Sequence, residues 1–305
     1  ILEKMEITLN PREEMNVSFY SREAEVSPPL VLTWKLIFNK NQGSAPHFES
    51  AFRFGTYRTP VRFRNRHLAP LNFMVSYDMR YEPLTDYLKL NHLGVSFLNR
   101  KLFNLAGEVR DVTKHQRFNI RMTESDISLD DLYPYYRQLT GDGSMRFGGS
   151  VSLFPLTVSG DPKDIDVNGE VNLRRILFRQ PGVEATIPSL TLAYRVLKRG
   201  DDMNIMAGLR MPHLQYALER SRSGDNGLDF DASVAAFNGF ERVYLNSVTM
   251  KFYNPVSRRS ALELALDGKV LLRPGQSGNI AIRRLEFSKR PLMGMLPGKF
   301  QKSLE

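Results

Sequence analysis

Regular alternation of apolar and polar residues constrains the fold of this chain more than any other feature of its sequence. The alternation recurs along most of the length, for example in residues 73–79, 203–211 and 262–266. Since successive side chains of a β-strand point to opposite faces, a period of two residues predicts strands with one apolar face. Turn signals separate these segments, in residues 41–44, 160–162, 224–227 and 273–275. This spacing is typical of consecutive antiparallel strands joined by hairpins.

Two segments have a helical period instead. In residues 128–141 the apolar side chains fall at i, i+3, i+4 and i+7, which predicts a helix that Asp131 caps and Gly141 ends, with Pro134 in its first turn. A second, shorter helix is predicted to start at Pro83. Neither segment forms a βα repeat, which argues against a parallel α/β sheet.

A short pattern, apolar-x-Gly-x-Val, recurs in residues 105–109, 147–151, 167–171 and 266–270. Each glycine takes a position where the alternation expects an inward side chain, which predicts a bulge or a close approach of another chain segment. Repeated strand–glycine–strand units favour a sheet that grows by addition over a closed core. Four matches this short could also arise by chance.

Several strands carry more apolar surface than one buried face requires. Residues 29–38 are apolar on both faces. This pattern predicts a strand that is covered on both faces or that lines a ligand cavity. A long curved sheet with few helices leaves its concave face to be filled by side chains, by another sheet or by an apolar ligand. We therefore expect an all-β protein with one or two short helices, in which an elongated, twisted antiparallel sheet forms a curved hydrophobic groove. The candidate groove residues are Ile165, Val167, Val171, Leu173, Leu190, Leu192, Ile205, Phe230 and Leu264.

Residues that could carry catalysis are sparse. The chain of 305 residues has no cysteine, which excludes disulfides, thiolate metal sites and a cysteine nucleophile. Its five histidines lie too far apart in sequence for a local zinc signature. No G-x-S-x-G elbow and no phosphate-binding loop is present. We expect a protein that is not an enzyme and that uses no cofactor and no metal.

One stretch does resemble a metal loop. Residues 164–169 fit the opening of a calcium loop, but position 12 of that loop is Arg175, where a bidentate glutamate is required. The same stretch alternates like a strand. We interpret it as a strand whose Asp164, Asp166 and Asn168 point to water.

The chain is basic, with 42 Lys and Arg against 33 Asp and Glu and a net charge of +9, which favours anionic partners. Its most basic stretch, residues 53–67, interleaves arginines with aromatic residues. This mixture suits single-stranded nucleic acid, the headgroup layer of an anionic membrane, or a solvated strand face. The candidate headgroup ligands are Arg53, Arg58, Arg62, Arg64 and Arg66.

In residues 118–173 an alternating strand leads into a segment of the type L-x-L-D-x-L-x-P, followed by a glycine-rich return and strands that end in G-x-V. The residues of this pattern are Phe118, Ile120, Leu129, Leu132, Pro134, Gly148, Gly149, Gly160 and Gly169. In these features the segment resembles the AsmA-like proteins of bacterial envelopes. The rest of the chain is similar only in its general pattern, and the family offers no catalytic residues to carry over.

The resemblance implies a groove-forming β-sheet related to bridge-like lipid transfer proteins. Such a protein is anchored in the bacterial inner membrane, extends through the periplasm, and shields phospholipid acyl chains in transport to the outer membrane or in maintenance of the envelope. Its partners would be phospholipid, a membrane surface and envelope proteins. We expect residues 1–302 to form a single elongated β-sheet domain with a weak break near 40–47, taken from a longer protein, and 303–305 to be a cloning scar.

Two other classes of function stay open from the sequence. The chain could be a structural or adhesive β-module with a filled core, or a nucleic-acid-binding protein that uses residues 53–67. Packing of the candidate groove residues against a second layer would favour the first alternative. Steeply salt-dependent binding of oligonucleotides would favour the second.

Overall fold

A computed structural model describes residues 4–9, 15–20, 24–26, 30–39, 45–63, 66–98, 100–218, 221–272 and 277–295. The protein is predominantly antiparallel β, with 74% of its residues in strands and 8% in helices. Two short helices accompany the strands. The predicted fold class, an antiparallel all-β architecture with short helices, is confirmed.

The chain divides into two compact units, Ile1–Gly143 (unit 1) and Ser144–Glu305 (unit 2). The boundary between them follows helix α1. The single domain over residues 1–302 with a weak break near 40–47 stays a prediction, and residues 40–44 lie outside the described residues.

Unit 1 is a meander of antiparallel strands followed by a helix. Strands β4 to β9 pair with one another in chain order. The elements are β1 (Lys4–Leu9), β2 (Met15–Tyr20), β3 (Ala24–Val26), β4 (Leu30–Asn39), β5 (His47–Phe63), β6 (Arg66–Glu82), β7 (Tyr87–Phe97), β8 (Arg100–Arg110), β9 (Arg117–Glu124), β10 (Ile127–Ser128) and α1 (Leu129–Thr140).

Unit 2 is also a meander of antiparallel strands followed by a helix. Strands β13, β14, β15, β17, β18, β19 and β20 pair successively, and β11 and β12 both pair with β13. The elements are β11 (Arg146–Ser152), β12 (Leu156–Gly160), β13 (Asp164–Gln180), β14 (Val183–Arg199), β15 (Asp202–Leu218), β16 (Ser221–Arg222), β17 (Asn226–Phe237), β18 (Arg242–Tyr253), β19 (Ser260–Leu271), β20 (Ser277–Phe287) and α2 (Lys289–Met295).

The predicted helix over residues 128–141 is confirmed as α1, but its N-cap residue is Ser128 and not Asp131. Ser128 is the N-cap residue, and its hydroxyl accepts a hydrogen bond of 3.2 Å from the backbone N–H of Asp131. The carboxylate of Asp131, the predicted cap, accepts instead from Arg100 at 2.6 Å. Gly141 ends the helix in the left-handed conformation, as predicted. Pro134 is the sixth helical residue and so lies in the second turn, not the first.

The predicted helix at Pro83 is wrong, because residues 83–86 form the turn between β6 and β7. Asp86 adopts a φ of 48° and its backbone N–H donates to the carbonyl of Pro83. The Asp86 carboxylate accepts from Thr113 and from the Tyr81 hydroxyl, which fixes the turn. The second helix is α2, which sequence periodicity did not indicate.

The recurring glycines lie where neighbouring backbones approach closely. A Cβ on Gly107 would meet the carbonyl of Asn119 and come within 2.7 Å of the Ile120 Cα. A Cβ on Gly268 would lie 2.6 Å from the carbonyl oxygen of Asn279. The predicted close approach is therefore confirmed at both positions.

The other two glycines of the pattern, Gly149 and Gly169, also lie where a side chain would clash with a neighbouring strand. Gly149 has a φ of +110° and lies at a register shift, where β11 advances two residues from Gly148 to Ser150 while β13 advances three, so it faces a bulge of β13. A Cβ on Gly169 would lie 2.7 Å from the hydroxyl of Tyr194. Glycine at these sites lets the strands bend and pack without a clash.

We predict that Gly107→Ala lowers the free energy of unfolding by about 1–3 kcal/mol, since the added methyl group must displace the β9 backbone. Gly143→Ala, in the same unit, should change it by less than about 0.5 kcal/mol, because a Cβ there has only the Arg137 side chain at 3.8 Å. Urea unfolding of the two variants measures both effects. Equal stabilities would contradict the close approach at Gly107.

Candidate functional site

The register of unit 2 separates its sheet into two chemically different faces. Residues opposite one another on neighbouring strands share a face, so the pairing can be followed from strand to strand. Three such rows are wholly or almost wholly apolar across seven strands. They are Val171, Leu192, Leu209, Phe230, Met250, Leu264 and Leu285; Leu173, Leu190, Met211, Leu228, Phe252, Leu262 and Phe287; and Val167, Val196, Ile205, Val234, Leu245, Gly268 and Ile280.

These rows, with the row from Gly169 to Ile282 between them, are here named the apolar face of unit 2. All of the predicted groove residues lie on this face, including Ile165, which pairs with Lys198 at its margin. The structure therefore brings together side chains that are separated by as much as a hundred residues in the sequence. Their role in holding a ligand stays a prediction.

The opposite face is polar and carries cross-strand ion pairs. Arg195 contacts Asp166 at 2.7 Å, and Arg283 makes two hydrogen bonds of 2.7 and 2.8 Å to Asp267. Arg210 donates to both carboxylate oxygens of Asp231. The strand interpretation of residues 164–169 is confirmed, with Asp164, Asp166 and Asn168 on this face.

The ion pairs hold several carboxyl groups in the charged form. The hydrogen bonds from Arg283 lower the pKa of Asp267, and those from Arg195 lower the pKa of Asp166. The hydroxyl of Ser260 is the main cause of the lowered pKa of Glu263, with Arg284 contributing. The polar face is thus a network of complementary charges at neutral pH.

The apolar face is exposed on strand β20 and half-buried on most of its other strands. In the part of the chain that the structure describes, the only buried apolar residues are Met122, Tyr135, Met211, Ala235, Ala236, Ala261 and Met295. On the edge strand β20 the side chains of Ile280, Ile282, Leu285 and Phe287 are 56–63% exposed. Most other members of the face are half-buried by their neighbours in the sheet.

Two bulges keep this face continuous. Strand β18 carries one extra residue between Leu245 and Val248, relative to both of its neighbours. Strand β20 carries one extra residue between Ile282 and Arg284. The sequence alternation ends at Ile282 and so misses Leu285 and Phe287 beyond the bulge of β20. The signal for such residues is a three-residue step from one apolar residue to the next.

Unit 1 has a similar apolar face. One row runs through Trp34, Phe52, Tyr77, Leu93, Leu105 and Met122. The rings of Phe52 and Tyr77 stack with centroids 5.5 Å apart. Trp34 and Leu36, on β4, are 64% and 62% exposed. The apolar excess of residues 29–38 therefore lies partly open to solvent.

Helix α1 packs at one end of this second face. The ring of Tyr135 contacts that of Phe97 at 5.8 Å, and its hydroxyl donates to the carbonyl of Pro70. Burial raises the pKa of Tyr135 above its ordinary value. The helix thus fixes the end of β6 where the strand leaves the Arg66 hairpin.

The structure does not gather the five predicted headgroup arginines into one site. Arg53 lies mid-strand on the polar face of unit 1, opposite Ser76. Arg66 donates to the carbonyls of Gln138 and Leu139 and so caps the C-terminus of α1. The two positions are ten residues apart along β5, roughly 30 Å at about 3.3 Å per residue. The side chains of Arg58 and Arg62, and the whole of Arg64, lie outside the described residues.

No group of three or more histidine or acidic side chains that could hold a metal ion is found within the described ranges. None of the described helices is long and apolar enough to cross a membrane. In comparisons with known proteins, no family model, no curated protein and no solved structure matches this chain.

Arg66→Ala should lower the free energy of unfolding by about 1 kcal/mol, because two carbonyls at the end of α1 lose their donor. Arg53→Ala removes the same charge from the same strand pair and should change stability by less than about 0.5 kcal/mol. Chemical denaturation compares the two variants. If Arg66→Ala has the same free energy of unfolding as wild type, the end of α1 does not depend on this contact.

Asp267→Asn should destabilise the protein at neutral pH and have little effect in acid. The lowered pKa of Asp267 means that its charge stabilises the fold above the ordinary aspartate range, near pH 4, and that this contribution disappears as the pH falls through the folded-state pKa. Thermal unfolding of wild type and variant across this range measures the difference. A gap between them that is independent of pH would rule out the charged pair with Arg283.

Proposed function

We propose that this protein binds acyl chains on the apolar faces of its antiparallel sheet, as a non-enzymatic lipid-binding or lipid-transport protein of the cell envelope. The observation that carries the proposal is the apolar face of unit 2, which is continuous over seven strands, exposed on β20 and only half-buried on most of the others. A contiguous exposed apolar surface of this extent marks a site of interaction.

The dimensions of the face suit this ligand. Seven strands about 4.8 Å apart give a row of roughly 29 Å, close to the hydrocarbon thickness of a whole bilayer of about 30 Å. One acyl chain, which spans one leaflet, therefore fits within a row. Each methylene group buried contributes about 0.8 kcal/mol, so the affinity needs no specific polar contacts.

The remaining parts of the proposal rest on the resemblance of residues 118–173 to AsmA-like proteins. They are a periplasmic location, an inner-membrane anchor in the full-length protein, phospholipid as the ligand, and a role in transport toward the outer membrane or in its maintenance. Other envelope proteins and the membrane surface would be the partners.

The structure also gives less support to the two alternative functions, a structural module with a filled core and nucleic-acid binding. A β-module with a filled core requires a second layer over Leu192, Ile205, Phe230 and Leu264, and these side chains are only half-buried. Nucleic-acid binding through residues 53–67 loses support because Arg53 and Arg66 are far apart and Arg66 caps a helix. Lipid binding is the function that the described geometry favours.

The double variant Ile282→Asn/Leu285→Asn should bind a fluorescent fatty-acid analogue about fivefold to tenfold more weakly than wild type, because it removes apolar contact area at the edge of the face. Native mass spectrometry of the purified protein should show phospholipid in wild type and less of it in the variant. Both side chains are already more than 60% exposed, so the fold should be preserved.

Met206→Asn is the matched control, since Met206 lies on the polar face and is 39% exposed. It should bind the analogue as wild type does. The proposal fails if neither phospholipid nor analogue associates with the wild-type protein, or if Met206→Asn weakens binding as much as the double variant.

A further inference from the structure

The cationic side chains of unit 2 are distributed unevenly between the two ends of its strands. In an antiparallel meander, alternate turns lie at the same end. The turns after β13 and β18, the loop before β17 and the start of α2 all lie at one end. Its exposed cationic residues include Arg146, Arg179, Arg222, Arg258, Arg259, Lys289 and Arg290, and this end is here named the basic end.

Few acidic groups balance the basic end. Glu184 is paired with Arg179 at 2.9 Å, and Glu263 and Glu286 are both paired with Arg284, at 2.9 and 2.8 Å. Asp225 lies 2.7 Å from Nδ1 of His213. Arg258, Arg259, Lys289 and Arg290 have no ion-pair partner among the residues that the structure describes. Their charge is therefore available to an anionic partner.

The opposite end has mixed charge. Its turns carry Asp161, Asp201 and Asp202 beside Lys163, Lys198 and Arg199. The polar face between the two ends carries ion pairs between opposite charges, so the excess positive charge of the described residues of unit 2 lies mainly at the basic end. Such an asymmetry orients a protein toward a negatively charged surface.

The turn between β18 and β19 adds an apolar side chain to these charges. Val256, at its tip, is 83% exposed, and Arg258 and Arg259 follow it. The Asn254 side chain accepts hydrogen bonds from the backbone N–H groups of Val256 and Ser257, at 3.1 and 2.8 Å. These hydrogen bonds hold the turn in a conformation in which the Val256 side chain and the two arginines that follow it are exposed to solvent.

We propose that the basic end of unit 2 docks on the surface of a bilayer that contains anionic phospholipid. Arg258 and Arg259 would lie at the level of the phosphates, and Val256 would reach the boundary of the acyl chains. An exposed aliphatic side chain among arginines suits this interface, whereas a single-stranded nucleic acid is bound by stacking on aromatic rings. The inference goes beyond acyl-chain binding and does not depend on it.

Co-flotation of the whole chain with vesicles tests the inference. Vesicles of phosphatidylcholine mixed with phosphatidylglycerol should bind the protein, vesicles of phosphatidylcholine alone should bind it much less, and added salt should weaken the binding. Arg258→Ser/Arg259→Ser should weaken it about 25-fold, at about fivefold for each arginine near an anionic surface. Val256→Ser should weaken it severalfold while leaving its salt dependence unchanged.

Lys163→Ser/Arg242→Ser is the matched control, because it removes two exposed cationic charges from the opposite end of the same strands. It should bind vesicles as wild type does. An equal loss of binding in this control, or equal binding to both kinds of vesicle, would overturn the inference. So would tighter binding of a single-stranded oligonucleotide than of anionic vesicles in the same buffer.

Uptake of the fluorescent fatty-acid analogue separates this inference from the proposed function. Arg258→Ser/Arg259→Ser should take up the analogue normally. A protein that binds anionic vesicles through the basic end but takes up no analogue would support the docking surface while contradicting the proposed function.

Discussion

The antiparallel hydrogen-bond ladder is the constraint on which the rest of this structure depends. Because it fixes which residues lie opposite each other, a period of two in each strand becomes a difference between two whole faces. In unit 2 the same register that lines up Val171 with Leu192 and Leu209 also places Asp166 beside Arg195. The apolar face and the ion-paired face are therefore two results of one pairing. A slip of one residue in any strand would place its apolar side chains among the charges.

The sheet is stabilised without a thick core. Fully buried apolar side chains are few among the described residues, and most apolar residues are half-covered by neighbours on adjacent strands. Stability then comes from cross-strand pairs, from backbone hydrogen bonds and from the charge network of the polar face. The free apolar surface is the expected result of a single layer, and an acyl chain would complete its burial.

Much of this could be predicted from the sequence, since alternation is a local signal. It indicated the strands and placed residues such as Ile205 and Leu264 on one face. Bulges were harder to predict. The extra residue of β20 after Ile282 shifts the alternation of apolar and polar residues by one position, so Leu285 and Phe287 were missed. The helix predicted at Pro83 was wrong because the partner that fixes the turn, Thr113, comes from another hairpin.

The arginines of residues 53–67 are neighbours in sequence but lie along an extended strand. No local pattern could show that Arg66 caps α1.

The bulges of β18 and β20 have a consequence for how such a sheet can change in evolution. Loss of Asn246, the extra residue of β18, would straighten the strand and leave Leu245 and Val248 on the face they now occupy. Loss of a residue elsewhere in β18 would move half of its side chains to the wrong face. Insertions and deletions should therefore be tolerated at these two points and in the hairpin loops, and selected against elsewhere. The length of each strand segment, more than the identity of any one residue, is what a lineage of such sheets must conserve.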